Sequence, residues 1–305
     1  MIKSFEKWHG CKNDFMIIWL TENEGEVVFD SIKRQASQFC SKSGDGVGAD
    51  GILVLHHRLS SDPLPYAMTI INSDGSIASN CGNGLRVAAL SIRRRHIELG
   101  KEAPMAVEIQ VLERKFACQF YAGSNPFVAI NMGQIKIDED LSWYTSEKPQ
   151  IKAILNQINF ASADIHAAEI GNKHIVIRNI SADQHNLLMV GPGLQTSEAW
   201  DGINVHIDEE IPLTKADLAL AHQNIGFEIS ELHRVVCYER GVGETPACGS
   251  GACAVASVAW ETGFLGLGKW IGIQMPGGRL YCKKDHSSYT LAGPGELVFE
   301  GKISI

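Results

Sequence analysis

Short apolar runs bounded by Gly, Asn, Asp or Ser punctuate most of this chain, and such runs read as strands. They predict strands over 52–55, 68–71, 106–112, 115–121, 127–131, 165–170, 175–178, 203–207 and 234–238, then over 270–275, 278–282, 289–292 and 297–305. Helical spacing is rarer. Ile32, Ala36, Phe39 and Cys40 predict a helix over 31–40 with Asp30 as its N-cap. Leu85, Ala88, Ala89 and Ile92 form one face of a helix after Cys81, with Arg93, Arg94 and Arg95 complementing the dipole of its last turns. A third helix is predicted over 252–261. The stretch 138–159 is polar and weakly patterned, and is read as a long connection with a short helix. Many short strands with few helices give an α+β class, not an alternating doubly wound sheet.

Composition narrows the function classes. A chain of 305 residues with 45% hydrophobic residues has the length for two domains and the material for a core. Its net charge of -8 and the absence of any basic block argue against nucleic acid as a partner. The longest apolar runs, over 15–20 and 252–260, fall far short of the ~20 residues that span a bilayer. The first ten residues carry Lys3, Glu6, Lys7 and His9, unlike a secretory signal. The expectation is a soluble, cytoplasmic protein that binds neither membrane nor nucleic acid. Eight cysteines without a CxxC pair or a Cys/His cluster predict no metal site. Most of them read as small buried hydrophobes.

Cys81 and Cys248 differ, because their surroundings repeat. Cys81-Gly-Asn-Gly-Leu-Arg-Val-Ala-Ala resembles Cys248-Gly-Ser-Gly-Ala-Cys-Ala-Val-Ala about half the chain later. Each follows a strand and a Gly-containing turn, and each opens a helix. A duplicated unit would give two domains related by an approximate two-fold axis, with matching elements facing one another across a cleft. At a helix N-terminus, unpaired amides and the positive dipole end favour a thiolate. Gly82-Asn83 and Gly249-Ser250 add amides that can approach a carboxylate closely. One such turn is an ordinary buried thiol; two in matched contexts suggest a pair of opposed acid/base groups. Inverting a stereocentre that bears a proton needs removal from one face and return from the other, which two bases accomplish. The developing enediolate would be stabilised by amides in a site sealed from water. Gly46-Val-Gly-Ala-Asp-Gly51 matches the GxGxxG pattern, but a helix precedes it and a strand follows. That is the wrong order for a dinucleotide cradle, so a tight turn is expected.

At these residues the sequence resembles the diaminopimelate epimerase family. The likeness also runs through His9-Gly-Cys-Lys-Asn-Asp-Phe15, Asn72-Ser-Asp-Gly-Ser76, Gly171-Asn-Lys-His174 and Tyr238-Glu-Arg-Gly-Val-Gly-Glu-Thr245. The resemblance implies a fold of two pseudo-symmetric α+β domains, each a curled, mostly antiparallel sheet around a central helix. It places them at 1–128 with 291–305, and at 129–290, with the final strand completing the first domain. It implies epimerisation of LL-2,6-diaminopimelate to the meso form without pyridoxal phosphate, any other cofactor or a metal, in lysine and peptidoglycan precursor biosynthesis. The implied partner is a small amino-acid substrate, with a homodimer as the candidate assembly. Carried over by position, Cys81 and Cys248 match the two catalytic bases, and His174 and Glu239 match thiol-tuning residues. Asn13, Asn72, Gly82, Asn83, Asn172, Asn204, Glu239, Arg240, Gly249 and Ser250 match substrate-binding positions.

Four departures fall where substrate shape is read. Lys173 replaces a usual proline, Gly51 a frequent Gln and Asn80 a more usual acidic residue, Gln or Met, while His206-Ile207 replaces a typical Glu-Phe. They keep a second function in view, a cofactor-free racemase of another amino acid such as histidine or glutamate. A third, a non-catalytic amino-acid-binding paralogue, has no use for both cysteines.

Overall fold

A computed structural model of the chain describes residues 1–21, 23–57, 65–121, 127–138, 164–196, 202–263 and 265–305. The predicted connection over 138–159 lies, beyond Asp138, outside the described residues. Two units divide the chain, Met1–Ile130 with Gly293–Ile305, and Asn131–Ala292.

The first unit opens with the hairpin β1 (Ile2–Gly10) and β2 (Asn13–Thr21). Helices α1 (Glu26–Arg34) and α2 (Ala36–Cys40) follow, then β3 (Gly51–His57), β4 (Tyr66–Asn72) and the short β5 (Ile77–Ala78). Next come α3 (Gly82–Glu98), β6 (Ala106–Val111), β7 (Arg114–Tyr121) and β8 (Phe127–Gly133). Strand β2 pairs parallel with β3, β3 antiparallel with β4, β4 parallel with β6, and β6, β7 and β8 antiparallel in turn. The alternation of each strand serves two faces. Met16, Ile18, Ile52 and Val54 pack with Ile32, Ala36, Phe39 and Cys40 of α1 and α2. The opposite face receives α3, whose residues from Gly82 to Ile92 are all buried.

The second unit repeats this plan. It comprises β9 (Lys136–Ile137), β10 (Asp164–Glu169), β11 (Lys173–Arg178), α4 (Gln184–Gln195), β12 (Asn204–Ile211) and α5 (Lys215–Ile225). After these come β13 (Ile229–Glu239), β14 (Gly243–Thr245), α6 (Gly249–Gly263), β15 (Trp270–Met275), β16 (Gly278–Asp285) and β17 (Ser288–Pro294). The senses of pairing run as in the first unit: β10–β11 antiparallel, β11–β12 parallel, β12–β13 antiparallel, β13–β15 parallel, then β15, β16 and β17 antiparallel. Helix α4 covers one face through Leu187, Val190 and Leu194. The other face holds α6, buried from Gly249 to Trp260. A helix buried all round needs apolar or small residues on every side, as Ala252-Cys-Ala-Val-Ala-Ser-Val-Ala-Trp260 supplies. The chain ends by returning β18 (Glu296–Ser304) to pair with β1 in the first unit, as β9 pairs with β10 in the second. Each unit is thus a mostly antiparallel sheet curled around one helix.

Two local expectations are corrected. Asp30 lies inside α1, whose N-cap is Gly25, because Glu26, Val27 and Val28 already follow helical geometry. The strands β1 and β2 and the helices α4 and α5 also lie where no element was predicted. Helix α4 contains Gly191-Pro192-Gly193, which reads as a turn. Gly191 lies against Tyr238, where a Cβ would sit 2.7 Å from Cγ.

The face of β11, β12 and β13 beneath α6 carries polar groups at two levels. His174 and His206, both without exposed surface, join through Nδ1 and Nε2 at 2.9 Å. Farther along, buried Asp208 takes Arg178 at 3.0 Å and His233 at 2.8 Å. His233 also meets Glu231, and Arg178 donates to Thr262 in the last turn of α6. This second group ties the C-terminal end of α6 to the sheet. Removing one partner would strand a buried charge, at a cost of about 3–5 kcal/mol.

The two levels titrate with opposite sign. Burial opposes charge on His233, but hydrogen bonds with Asp208 and Glu231, and their charges, outweigh it and lift its pKa from 6.5 to about 9. Its contribution to stability is complete below 6.5 and is lost as pH rises through about 9. Burial instead holds His206 down at about 3, and burial together with the neighbouring His206 holds His174 well below 6.5. Their contribution is present above 6.5 and is lost as pH falls. Stability against urea is therefore predicted to peak near pH 6.5 and to fall on both sides. His233→Gln should flatten the alkaline limb alone. A wild-type curve level from pH 6.5 to 9 would contradict this assignment.

Candidate active site

In the first unit, a two-residue turn, Cys11-Lys12, joins β1 to β2 with both residues left-handed (φ 54° and 63°). Both central residues at positive φ are what a tight antiparallel hairpin of this twist requires. The turn delivers Asn13 to the start of β2. The strand registers bring Gly51 and Asn72 to the same end, with Phe15 opposite Gly51 and Gly51 opposite Asn72.

Helix α3 starts over this end. Cys81 is its N-cap, in extended conformation, and its Sγ accepts the Gly84 amide at 3.3 Å. A side chain on Gly84 would crowd that sulfur, since a Cβ would stand 3.3 Å from Sγ and 3.2 Å from Leu53. Asn83 is buried and its amide is oriented by two partners. Its Oδ1 accepts from Arg86 at 2.8 Å, and its Nδ2 donates to Asn13 Oδ1 at 3.2 Å. Asn13 in turn donates to Asp50 at 2.8 Å, and Asp50 pairs with Lys42. Arg86 has no exposed surface and also donates to the carbonyls of Gly82 and Pro294. The structure therefore joins Asn13, Asn83 and the head of α3 in one network. Asn72 stands apart from it in the β4–β5 turn, exposed, donating to Ser76 Oγ at 2.9 Å.

The second unit builds the same head on α6. Cys248 Sγ accepts the Gly251 amide, again at 3.3 Å. The next amide bonds the cysteine carbonyl in both copies, Leu85 to Cys81 at 2.8 Å and Ala252 to Cys248 at 2.9 Å. Ser250 Oγ lies 3.5 Å from Cys248 Sγ. Burial pushes the Cys248 thiol well above its usual range, and the Glu239 carboxylate adds to the push. Cys248 is a protonated thiol at neutral pH in this arrangement.

Around it, the starts of β11 and β12 and the end of β13 converge. His174 lies opposite Asn204. Asn204 is buried, donates to the Lys173 carbonyl at 3.3 Å and accepts the Arg240 amide at 2.9 Å. Glu239 accepts from Thr245 Oγ1 at 2.6 Å. Arg240 is exposed, and its stem crosses Gly202, where a Cβ would fall 2.4 Å from Cδ. Asn172, half-buried, turns the chain between β10 and β11 and accepts the Ile170 amide through its carbonyl. The His206 ring lies so close beneath Gly251 that a Cβ there would stand 2.2 Å from Cε1.

Each unit thus presents a thiol held by a helix's third amide, beside first-turn amides that have no intrahelical acceptor. That arrangement can move a proton at sulfur and hold a carboxylate on backbone donors. Sequence reasoning singled out neither Arg86 nor His206 for a role. Arg86 carried a signal, a lone arginine within the apolar run Leu85-Arg-Val-Ala-Ala-Leu90. His206 showed only as a departure from the family pattern.

Comparison with known proteins follows this geometry. Residues 5–137 match the family model described as diaminopimelate epimerase. A diaminopimelate epimerase of Desulforudis audaxviator is 30% identical over 303 residues, covering 98% of each chain. One from Pseudomonas paraeruginosa is 27% identical over 310 residues, covering the whole of both. Among solved structures, a PhzF-family phenazine biosynthesis protein of Bacillus anthracis matches with TM-score 0.69 at 13% identity, over 100% of each chain. A hydroxyproline epimerase of Agrobacterium vitis, solved with trans-4-hydroxy-L-proline bound, matches with TM-score 0.65 at 11% identity, over 99% of this chain and 91% of that one. At such identities these two structures speak to the fold alone. The likeness in sequence reaches from end to end, and the chain belongs to the diaminopimelate epimerase family.

Proposed function

We propose that the protein epimerises LL-2,6-diaminopimelate to meso-diaminopimelate, with Cys81 and Cys248 as the acid/base pair and no cofactor. The observation that carries the reading is the repeated helix head: two thiols, one in each unit, each accepting the third amide of its own helix at 3.3 Å. In one direction, the Cys81 thiolate takes the α-proton and the electron pair of the C–H bond passes into the carboxylate as an enediolate. The Cys248 thiol then gives its proton to the opposite face, leaving Cys81 protonated and Cys248 as thiolate. The reverse direction exchanges the roles. The raised pKa of Cys248 suits the donor role in the first direction. Amides of Gly82-Asn83 and Gly249-Ser250 hold the reacting carboxylate, and the network of Arg86, Asn83 and Asn13 keeps one of these cradles in place. His174 and Glu239 tune the second thiol.

The distal amino-acid group falls to the remaining polar residues. A planar guanidinium grips a carboxylate through two parallel hydrogen bonds, and Arg240, exposed with its stem packed on Gly202, is the candidate. Glu239 accepts from the distal ammonium, with Asn72, Asn172 and Asn204 as supporting groups.

Purified protein incubated in heavy water with LL-diaminopimelate, histidine and glutamate separately should place deuterium on the α-carbon of diaminopimelate alone. Exchange into histidine or glutamate instead would move the assignment to a racemase, and exchange into none would favour a binding paralogue. Arg240→Lys keeps the charge and loses the fork. It should lower kcat/KM on diaminopimelate about 100-fold, an effect on the order of 3 kcal/mol, with kcat falling as well as KM rising. Arg240→Lys with wild-type kinetics would remove Arg240 from recognition.

A further inference from the structure

The hairpin that precedes the second cysteine turn brings three polar side chains to one face. Gly241 and Gly243 are left-handed (φ 76° and 97°), and the chain doubles back so that Glu239 pairs with Gly243 and Cys237 with Thr245. Cys237 and Glu239, two residues apart on β13, share a face; Thr245 stands opposite the first and diagonal to the second. The three side chains meet. Thr245 Oγ1 lies 2.6 Å from Glu239 Oε1 and 3.2 Å from Cys237 Sγ. Cys237 Sγ is also 3.2 Å from the Thr245 carbonyl.

One assignment of protons satisfies these contacts. A hydroxyl has a single proton and an ionised carboxylate only accepts, so Thr245 O–H donates to Glu239 Oε1. At 2.6 Å that bond has the length of a charge-assisted O–H···O⁻ bond, about 2.5–2.7 Å, the strong kind. The hydroxyl oxygen is left to accept from Cys237, a buried thiol whose pKa is pushed up to about 12 and which keeps its S–H near neutral pH. The Glu239 carboxylate also hydrogen-bonds the Cys248 thiol and favours the protonated sulfur. A carboxylate accepts through about four lone pairs, so these bonds leave room for the distal ammonium assigned to it above. Glu239 is half-buried, and with its torsions free it would divide its time between the thiol and water.

We propose that Thr245 is a positioning residue: its hydroxyl holds the Glu239 carboxylate on the Cys248 thiol. A carboxylate kept there strengthens the sulfur as a base when its turn comes to take the weakly acidic α-proton, and keeps it protonated when it is the donor. The kinetic part of this inference rests on the function proposed above; the contact itself does not.

The test uses the full-length protein. The S–H stretch of a thiol falls in a clear window of the infrared spectrum, and a stronger hydrogen bond moves it to lower frequency. The Cys248 band is the one missing from Cys248→Ser. In the wild type it should lie below the band missing from Cys118→Ser, because Cys118 Sγ meets only a neutral carbonyl, that of Phe116, at 3.8 Å. Thr245→Val keeps the shape and removes the hydroxyl. It should raise the frequency of the Cys248 band and lower kcat on diaminopimelate about tenfold, while KM stays within about twofold. Thr245→Ser keeps the hydroxyl and should restore the band and most of kcat. The proposal is overturned if the band stays in place in Thr245→Val, if that variant keeps the wild-type kcat, or if Thr245→Ser behaves like it. Should the valine variant not fold, the two wild-type bands decide, and a Cys248 band no lower than that of Cys118 overturns the proposal. Should the protein prove inactive on diaminopimelate, the function proposed above fails, while the bands still test the contact.

Discussion

A sulfur atom at the head of a buried helix is the constraint on which the rest depends. A helix that is enclosed on all sides cannot leave its first amides to water, and in both units the third amide is taken by the cysteine that begins the helix. The same atom that closes the helix is then the atom available for proton transfer. Glycine stands at the third helical position in each copy: a side chain would crowd the sulfur and Leu53 at Gly84 and collide with the His206 ring at Gly251. Packing therefore bears on the cysteine and on the second glycine of each motif.

The duplicated sheets place those heads. In each unit the order of pairing senses is the same, with two parallel steps interrupting an otherwise antiparallel ladder. Within each unit one further strand closes the sheet on its first long strand, β18 on β1 and β9 on β10. Divergence between the copies lies in the buried polar groups. Under α3 the head is steadied by Arg86 through Asn83. Under α6 it rests on a pair of uncharged histidines, and a charged cluster around Asp208 ties the far end of that helix to the sheet.

Much of this was legible in the chain before its structure. The two CGxG turns repeat in matched contexts, and the apolar spacing that follows each of them announces a helix. Strand 270–275 agrees with the structure residue for residue, since it is apolar and bounded by glycine-containing turns. Other elements were hidden for identifiable reasons. Strand β1 mixes charged and aromatic residues, Lys7-Trp-His9 among them, because it is flanked by β2 and β18 while keeping polar groups such as Lys7 inside. Helix α4 is disguised by Gly191-Pro192-Gly193, and only contact with Tyr238 explains why glycine is needed there. His206 meets His174, a neighbour distant in sequence, which no local pattern reveals.

The central claim is that each thiol both caps its helix and moves a proton, and substitution at one cysteine separates the two roles. Serine keeps an acceptor for the Gly251 amide but is a far weaker base; alanine keeps neither. Thermal unfolding and epimerase turnover of Cys248→Ser and Cys248→Ala, measured side by side, test this most directly. The account predicts that both variants lose turnover, that the serine variant keeps Tm within about 1 °C, and that the alanine variant falls by about 2–4 °C for a cap worth ~1 kcal/mol. An alanine variant as stable as the wild type, or a serine variant that still epimerises, would contradict it.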